Sequence, residues 1–257
     1  MKITVCELPN EADDLAGAWL QLVEHVGQHR SDLLLLPEMP FYRWLSQTDD
    51  VIPEEWERAV KAHDEWIGRL GDLAPATVVS SRPVVDGGKR HNVGFFWESD
   101  TGAVDVHAKH YLPDESGFWE ASWYQRGNGD FSVADTSKGR IGFLICTELW
   151  FSSHARDYGQ LGAHIIVCPR ATPTTTAPKW LAGGQTAAVV SGTFCLSSNL
   201  TGTTSEGGDF AGVGWIVEPE EGKVLGQTSS ENPFLTVEVD LAEAERAKTT
   251  YPRYVQE

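Results

Sequence analysis

The sequence predicts an α/β domain whose sheets are covered by helices, and three observations predict it. Runs with apolar residues at helical spacing alternate along the chain with short apolar runs. Several of the short runs, such as Leu33 to Leu36 and Ile141 to Ile145, are apolar at every position, as in strands buried on both faces. Turn chemistry such as Asp86-Gly87-Gly88 and Asp100-Thr101-Gly102 separates the elements, and no repeat or low-complexity linker interrupts them. Residues 1–257 therefore read as a single domain.

Element by element, Ile3 to Cys6 reads as a first strand, and Glu11 to Val26 as a helix carrying Leu15, Trp19, Leu22 and Val26 on one face. Leu33 to Leu36 is the next buried strand. Helical spacing returns from Glu54 to Leu70, followed by strands at Thr77 to Ser80, His91 to Trp97 and Val104 to His107. After a Gly-rich, aromatic connection, Phe131 to Ala134 and Ile141 to Ile145 form a strand pair across the turn-rich Asp135 to Gly139. Alternation then resumes: a helix near Ser153 to Leu161, a strand at His164 to Cys168, a helix near Trp180 to Val190 and a strand at Thr193 to Ser197. Late strands at Gly214 to Val217 and Phe234 to Val239 complete the set.

An apolar fraction of 41% over 257 residues suits a well-buried core. The formal net charge of −17 opposes association with nucleic acid or anionic membrane, and the acids are spread along the chain as on a solvated surface. Cys6, Cys146, Cys168 and Cys195 lie mostly within apolar runs, without disulfide-scaffold or paired metal-site spacing, which suits a reducing cytoplasm. The first residues lack the apolar core of a signal peptide, and no segment has the length to span a bilayer. A soluble, cytoplasmic protein is expected.

Cys146 is where the chemistry concentrates. The apolar run from Ile141 stops abruptly at this thiol, and helix-start residues follow. A buried strand would fix the sulfur, and a following helix N-terminus would favour thiolate and a developing oxyanion. The default reading of a cysteine is a small buried hydrophobe, which fits Cys6, Cys168 and Cys195. Two other segments stand with Cys146: Leu36-Pro37-Glu38, and Lys109 followed by Leu112-Pro113.

In these segments the chain resembles the nitrilase superfamily of carbon–nitrogen hydrolases. The resemblance extends through His154-Ala155-Arg156, Gly162-Ala163, the strand ending at Pro169, Asn199 with Gly202, and Gly212-Val213-Gly214 to Pro219. It implies a four-layer α-β-β-α sandwich, a Glu38, Lys109 and Cys146 triad, and a homodimer or larger assembly. The residue chemistry agrees: a carboxylate can take the thiol proton, an ammonium can stabilise the tetrahedral oxyanion, and a thioester follows. Alone, Glu38 would be an exposed strand-end acid and Lys109 a solvated turn lysine. Glu120 matches in spacing the second glutamate of amidase branches; Glu115 is its rival, and a solvated loop acid is the bland reading of either. The Thr147 N–H is a candidate oxyanion donor. Glu148 reads equally as a substrate contact and as an acid capping a helix. Trp119, Trp123, Tyr124, Phe41, Tyr42, Trp44, Trp150 and Phe151 are core or interface material from which an aromatic pocket wall could be drawn.

Departures from the family pattern fall at Phe151-Ser152-Ser153-His154, where relatives carry Pro-Glu, and around Gln185-Thr186-Ala187, where an arginine is missing. These affect pocket shape. The expected activity is hydrolysis of a small linear amide or N-carbamoyl compound with ammonia release. A nitrilase is the alternative, since Cys146-Thr147-Glu148 partly resembles the Cys-Trp-Glu of that branch, and a silent binding protein is a third reading. A papain-like pairing with His154 or His164 ranks lower, because His154 falls in the next helix and His164 opens a strand. No P-loop, dinucleotide fingerprint or clustered metal ligands occur, so no cofactor is expected.

Overall fold

In the computed structural model, which describes residues 1–204 and 208–255, one strand organises both sheets. Strand β1 (Lys2–Pro9) pairs over its first half in parallel with β2 (Leu33–Leu35) and antiparallel with β13 (Phe234–Glu238). Its last residues, Glu7 to Pro9, pair in parallel with Asn199 to Thr201 of β9 (Phe194–Thr203). The path from edge to edge is β5-β4-β3-β2-β1-β9-β8-β7-β6, with β3 (Thr77–Asp86), β4 (Lys89–Glu98) and β5 (Gly102–Ala108) on one side. On the other side stand β6 (Ala134–Thr136), β7 (Gly139–Phe143) and β8 (Ile165–Arg170). Short β10 (Asp209–Ala211), β11 (Trp215–Val217) and β12 (Val224–Gln227) attach to the β9 side.

Side-chain alternation turns this path into layers. Odd positions Ile3, Val5, Leu33 and Leu35 from one sheet pack with Ile141, Phe143, Ile165, Val167, Phe194 and Leu196 from the other, forming an inter-sheet core. Even positions Cys6, Leu8, Leu34 and Leu36 point outward onto Leu15, Trp19, Leu22 and Val26 of α1 (Ala12–His29). On the opposite outer face, Ile166, Cys168 and Cys195 meet Ala155 and Tyr158 of α4 (Ser152–Gln160) and Trp180, Ala187 and Ala188 of α5 (Ala177–Ser191). The result is an α-β-β-α sandwich. Strands apolar at every position are required here, because each inner strand faces a sheet on one side and a helix on the other.

The expected helix from Glu54 to Leu70 is α2 (Pro53–Ile67), with Pro53 at its first position, followed by a separate 3-10 turn, Leu70–Leu73. Two expectations are corrected. Phe131 lies outside the strand that starts at Ala134, and its ring instead stacks on His154 at 3.7 Å between centroids. The chain after Cys146 first makes a five-residue 3-10 turn, Cys146–Trp150, before α4 begins at Ser152. The short α3 (Glu120–Trp123), α6 (Ala242–Ala247), β10 and β12 carry no readable period and escape sequence analysis.

Close packing of α4 on α5 depends on a missing side chain. A Cβ at Gly159 would lie 2.2 Å from the Ser191 backbone oxygen, whereas one at the exposed Gly17 in α1 would meet nothing within 4 Å. Gly159→Ala is expected to destabilise by about 1–3 kcal/mol. Gly17→Ala should stabilise by up to about 1 kcal/mol through helix propensity. Opposite shifts in thermal midpoint check both.

Candidate active site

Strand β7 delivers Leu144, Ile145 and then Cys146 to the outer edge of the sheet. Cys146 adopts φ 48°, a left-handed conformation costly for a residue with a Cβ, so its surroundings must hold it there. Glu148 is central to that hold. Its Oε2 accepts the Ile145 N–H at 2.8 Å and pairs with His107 Nε2 at 2.8 Å, while Oε1 accepts the His110 N–H at 2.7 Å. Burial opposes a charged His107, but hydrogen bonding and attraction to Glu148 outweigh it and raise the imidazole above its ordinary value. Both Glu148 oxygens thus tie the cysteine turn to the end of β5. The geometry is that of a brace.

Glu38 follows β2 through Leu36-Pro37, where Ser80 Oγ donates to the Pro37 carbonyl at 2.7 Å and the Glu38 N–H donates to the Arg170 carbonyl at 3.3 Å. Lys109 directly follows β5 and is anchored by its N–H to the Asn92 carbonyl at 2.9 Å. Its ammonium donates to Glu38 Oε1 at 2.8 Å and stands 2.6 Å from Glu120 Oε2. Glu120 opens α3, and Tyr124, four residues on, donates its hydroxyl to the same Oε2. Asn92 Nδ2 donates to Glu38 Oε1 at 2.8 Å. One buried ammonium therefore joins three distant segments.

Burial works against the Lys109 charge, but Glu120 and Glu38 together overcome it and hold the ammonium above its usual range. Glu120 is pushed up to about 7, chiefly by burial and further by Glu38, with Lys109 pulling the other way. Glu38 Oε2 and Glu120 Oε1 are buried and, among the described residues, have no hydrogen-bond partner. Orphaned buried acceptors cost folding free energy.

Cys146 itself is 3% exposed. Burial pushes its thiol well above the ordinary value; Glu38 and Glu120 add to the rise and Lys109 opposes it. Burial therefore works against the thiolate that a following helix N-terminus would favour. The turn that begins at Cys146 is a five-residue 3-10 turn, which aligns less dipole than a longer helix would. The Thr147 N–H precedes the first hydrogen bond of that turn, from Glu148 N–H to the Ile145 carbonyl at 3.1 Å.

A cavity of about 260 Å³ opens over Cys146 and Thr147, walled by Trp150, Trp180, Ala171, Thr172, Pro173 and Thr176, and by Pro113, Glu115 and Phe118 from the loop after Lys109. Lys179 stands at its rim, with its ammonium 5.3 Å from the Trp150 ring centroid. Glu115 and Glu120 thus occupy different environments: Glu115 is exposed at the cavity wall, and Glu120 is fully buried against Lys109. Of the aromatic residues named from sequence, Trp150 lines this cavity, while Phe41, Trp44, Trp123 and Tyr124 are core. Neither histidine considered as a base partners the thiol. His154 Nε2 bonds Tyr111 at 2.9 Å, and His164 pairs with Glu245 at 2.8 Å.

Sequence reasoning missed Asn92, His107 and Arg170 as members of this neighbourhood, and counted Tyr124 only as an aromatic. The spacing of Tyr124 four residues after Glu120 was a usable signal, since helical residues so spaced meet. Asn92 and His107 gave none, since β4 and β5 carry other polar residues such as His91 and Asp105. Among the described residues, no group of three or more His, Cys, Asp or Glu is placed to hold a metal ion, and no helix is long and apolar enough to cross a membrane.

With the site in view, comparison with known proteins is direct. The carbon-nitrogen hydrolase family matches residues 2–249, and the chain belongs to that family. It is 26% identical over 251 residues to the chloroplastic omega-amidase of Arabidopsis thaliana, covering 90% of this chain and 64% of that protein. It is 26% identical over 185 residues to the citrullinase of Francisella tularensis, covering 66% of this chain and 61% of that protein. The chain thus spans less than two thirds of either relative. A crystal structure of a carbon-nitrogen hydrolase from Helicobacter pylori superposes with a TM-score of 0.88 at 21% identity, covering 98% of this chain and 94% of that one. The fold is that of the nitrilase superfamily.

The ion cluster makes a stability prediction independent of any activity. Lys109→Met leaves Glu38 and Glu120 buried without their cation and should cost about 3 kcal/mol or more at pH 8. Without the ammonium, Glu120 binds its proton more tightly in the folded state than in the unfolded chain, so folding gains stability as pH falls. Denaturant titration should therefore show a smaller deficit at pH 5 than at pH 8.

Proposed function

We propose that this protein hydrolyses the carbon–nitrogen bond of a small linear amide or N-carbamoyl compound through a Cys146 thioester. The observation that carries the reading is a buried thiol lining one small cavity and within electrostatic reach of a buried, ion-paired carboxylate and ammonium, Glu38 and Lys109. The omega-amidase and citrullinase likenesses support amide and carbamoyl substrates over nitriles.

Glu38 is the general base. It takes the Cys146 proton as the sulfur attacks the substrate carbonyl carbon, so a thiol that burial pushes up is compatible with nucleophilic attack. The Lys109 ammonium and the Thr147 N–H stabilise the oxyanion that forms. As the carbon–nitrogen bond breaks, Glu38 returns its proton to the leaving nitrogen and ammonia departs. Water then gives a proton to Glu38 while its oxygen attacks the thioester, and collapse of that intermediate expels the sulfur, which recovers its proton. Glu120, bonded by Tyr124, fixes Lys109 between two carboxylates throughout. Glu148 acts by holding the turn rather than by meeting substrate.

A panel of matched carboxamides, ureido acids and nitriles, assayed for ammonia, tests the activity. Amides or carbamoyl compounds are expected to give higher kcat/KM than their nitriles; a consistent win for nitriles would move the protein to the nitrile-hydrolysing alternative with the same residues in role. Cys146→Ala should lose turnover and the acyl adduct seen on the wild type by intact-mass spectrometry, and near-normal hydrolysis by that variant would refute the mechanism. Glu38→Gln, which keeps the shape but cannot take a proton, is expected to lose at least about a hundredfold in kcat. Because protonation of Glu120 weakens its hold on Lys109, kcat/KM should fall as pH drops through about 7; a flat profile from pH 6 to 8 would contradict that role.

A further inference from the structure

A second cavity, of about 240 Å³, adjoins the one over Cys146, and Phe118 and Pro173 line both. Its apolar lining is largely aromatic. Trp44, Phe118 and Phe210 line it, with the Trp44 ring centroid 6.1 Å from that of Phe118 and 6.2 Å from that of Phe210, at interplanar angles of 56° and 79°. Contacts outside the cavity hold each of the three. Trp44 Nε1 donates to the Gly117 carbonyl at 3.1 Å, the Phe118 N–H donates to the Glu115 carbonyl at 2.8 Å across a tight turn, and Phe210 pairs with Pro173 in an isolated antiparallel bridge. The enclosure is built before a ligand arrives.

Its polar groups point to one sign of charge. Asp209 is the only charged side chain among the described residues that line this cavity, and no cation among them pairs with it. Gln47 also lines it, and Gln47 Oε1 is buried and, among the described residues, has no hydrogen-bond partner. The cavity over Cys146 differs, since Glu115 and Lys179 give it one charge of each sign. Selection by charge therefore falls to the second cavity. Aromatic rings attract a cation through their quadrupole, a carboxylate adds to that attraction, and an unpaired carbonyl oxygen can accept a hydrogen bond from an ammonium. An anionic end would be repelled by Asp209, and an alkyl end would leave Gln47 Oε1 unpaired.

We propose that this second cavity binds an ammonium at the far end of the substrate, so that the compound cleaved at Cys146 is a linear amide or N-carbamoyl amine that ends in a primary amine. The inference rests on the hydrolytic reading of Cys146 and specifies the substrate for it.

The test is a set of linear N-carbamoyl compounds of equal length that end in an ammonium, a methyl or a carboxylate, with kcat/KM read from ammonia release. The ammonium-ended compound, a mono-carbamoylated diamine, should exceed the methyl-ended one by about tenfold or more, and the carboxylate-ended one should be the poorest. Asp209→Asn and Phe210→Leu should each lower the ammonium-to-methyl ratio by about threefold or more. A wild-type ratio at or below one, or a ratio that neither variant changes, would overturn the proposal. Asp209 is exposed, so Asp209→Asn keeps the test open should Phe210→Leu fail to fold. If no compound of any ending is hydrolysed, the hydrolytic reading fails by itself, and calorimetric binding of the mono-carbamoylated diamine to the Cys146→Ala protein decides the cavity. Binding that weakens when Asp209→Asn is added supports the ammonium site; no binding, or binding indifferent to Asp209→Asn, overturns it.

Discussion

The buried Lys109 ammonium between Glu38 and Glu120 is the interaction on which the site depends. Each of its three members comes from a different part of the chain: the end of β2, the end of β5 and the start of α3. None would remain charged in a desolvated position alone, and each carboxylate makes burial of the ammonium tolerable. The loop from Lys109 to Glu120 must therefore fold back so that its two ends meet, which places Pro113, Glu115 and Phe118 along the cavity between them. Cavity shape follows from charge pairing.

A second network holds the cysteine turn against this cluster. Glu148 spends both oxygens on Ile145, His107 and His110, so the strained Cys146 backbone is fixed from its own turn and from the neighbouring sheet edge. Because His107 and Lys109 lie two residues apart near the end of β5, one edge of one sheet serves both networks. Displacement of that edge would disturb the thiol and the ammonium together. His107 inside β5 pairs with Glu148, and Lys109 just past its end pairs with Glu38 and Glu120.

The electrostatic setting is one of opposed tendencies. Desolvation raises the Cys146 thiol and the Glu120 carboxyl and works against the Lys109 charge, while the ion pairs resist these changes. The same low-dielectric surroundings make each charge in the neighbourhood felt over a longer range than it would be in water.

Much of the fold was legible because the two periods and the doubly apolar strands are local properties. Leu15, Trp19, Leu22 and Val26 announce a helix face, and Leu33 to Leu36 announce a strand with no polar side. The segments of Glu38, Lys109 and Cys146 were legible through their resemblance to the nitrilase superfamily; alone, Glu38 would read as a strand-end acid and Lys109 as a turn lysine. Sequence left Glu115 and Glu120 as rivals because both lie in a loop without period; the tertiary structure placed Glu120 against Lys109 and Glu115 in the cavity wall. It also decided the burial of the thiol, and the places of Asn92, Tyr124 and Arg170, which depend on contacts across the sheet or around a short helix. The sequence by itself determined which segments become strands and helices and which end in reactive groups. Only the folded chain decided which charges share one desolvated space, because that is set by distances between residues far apart in sequence.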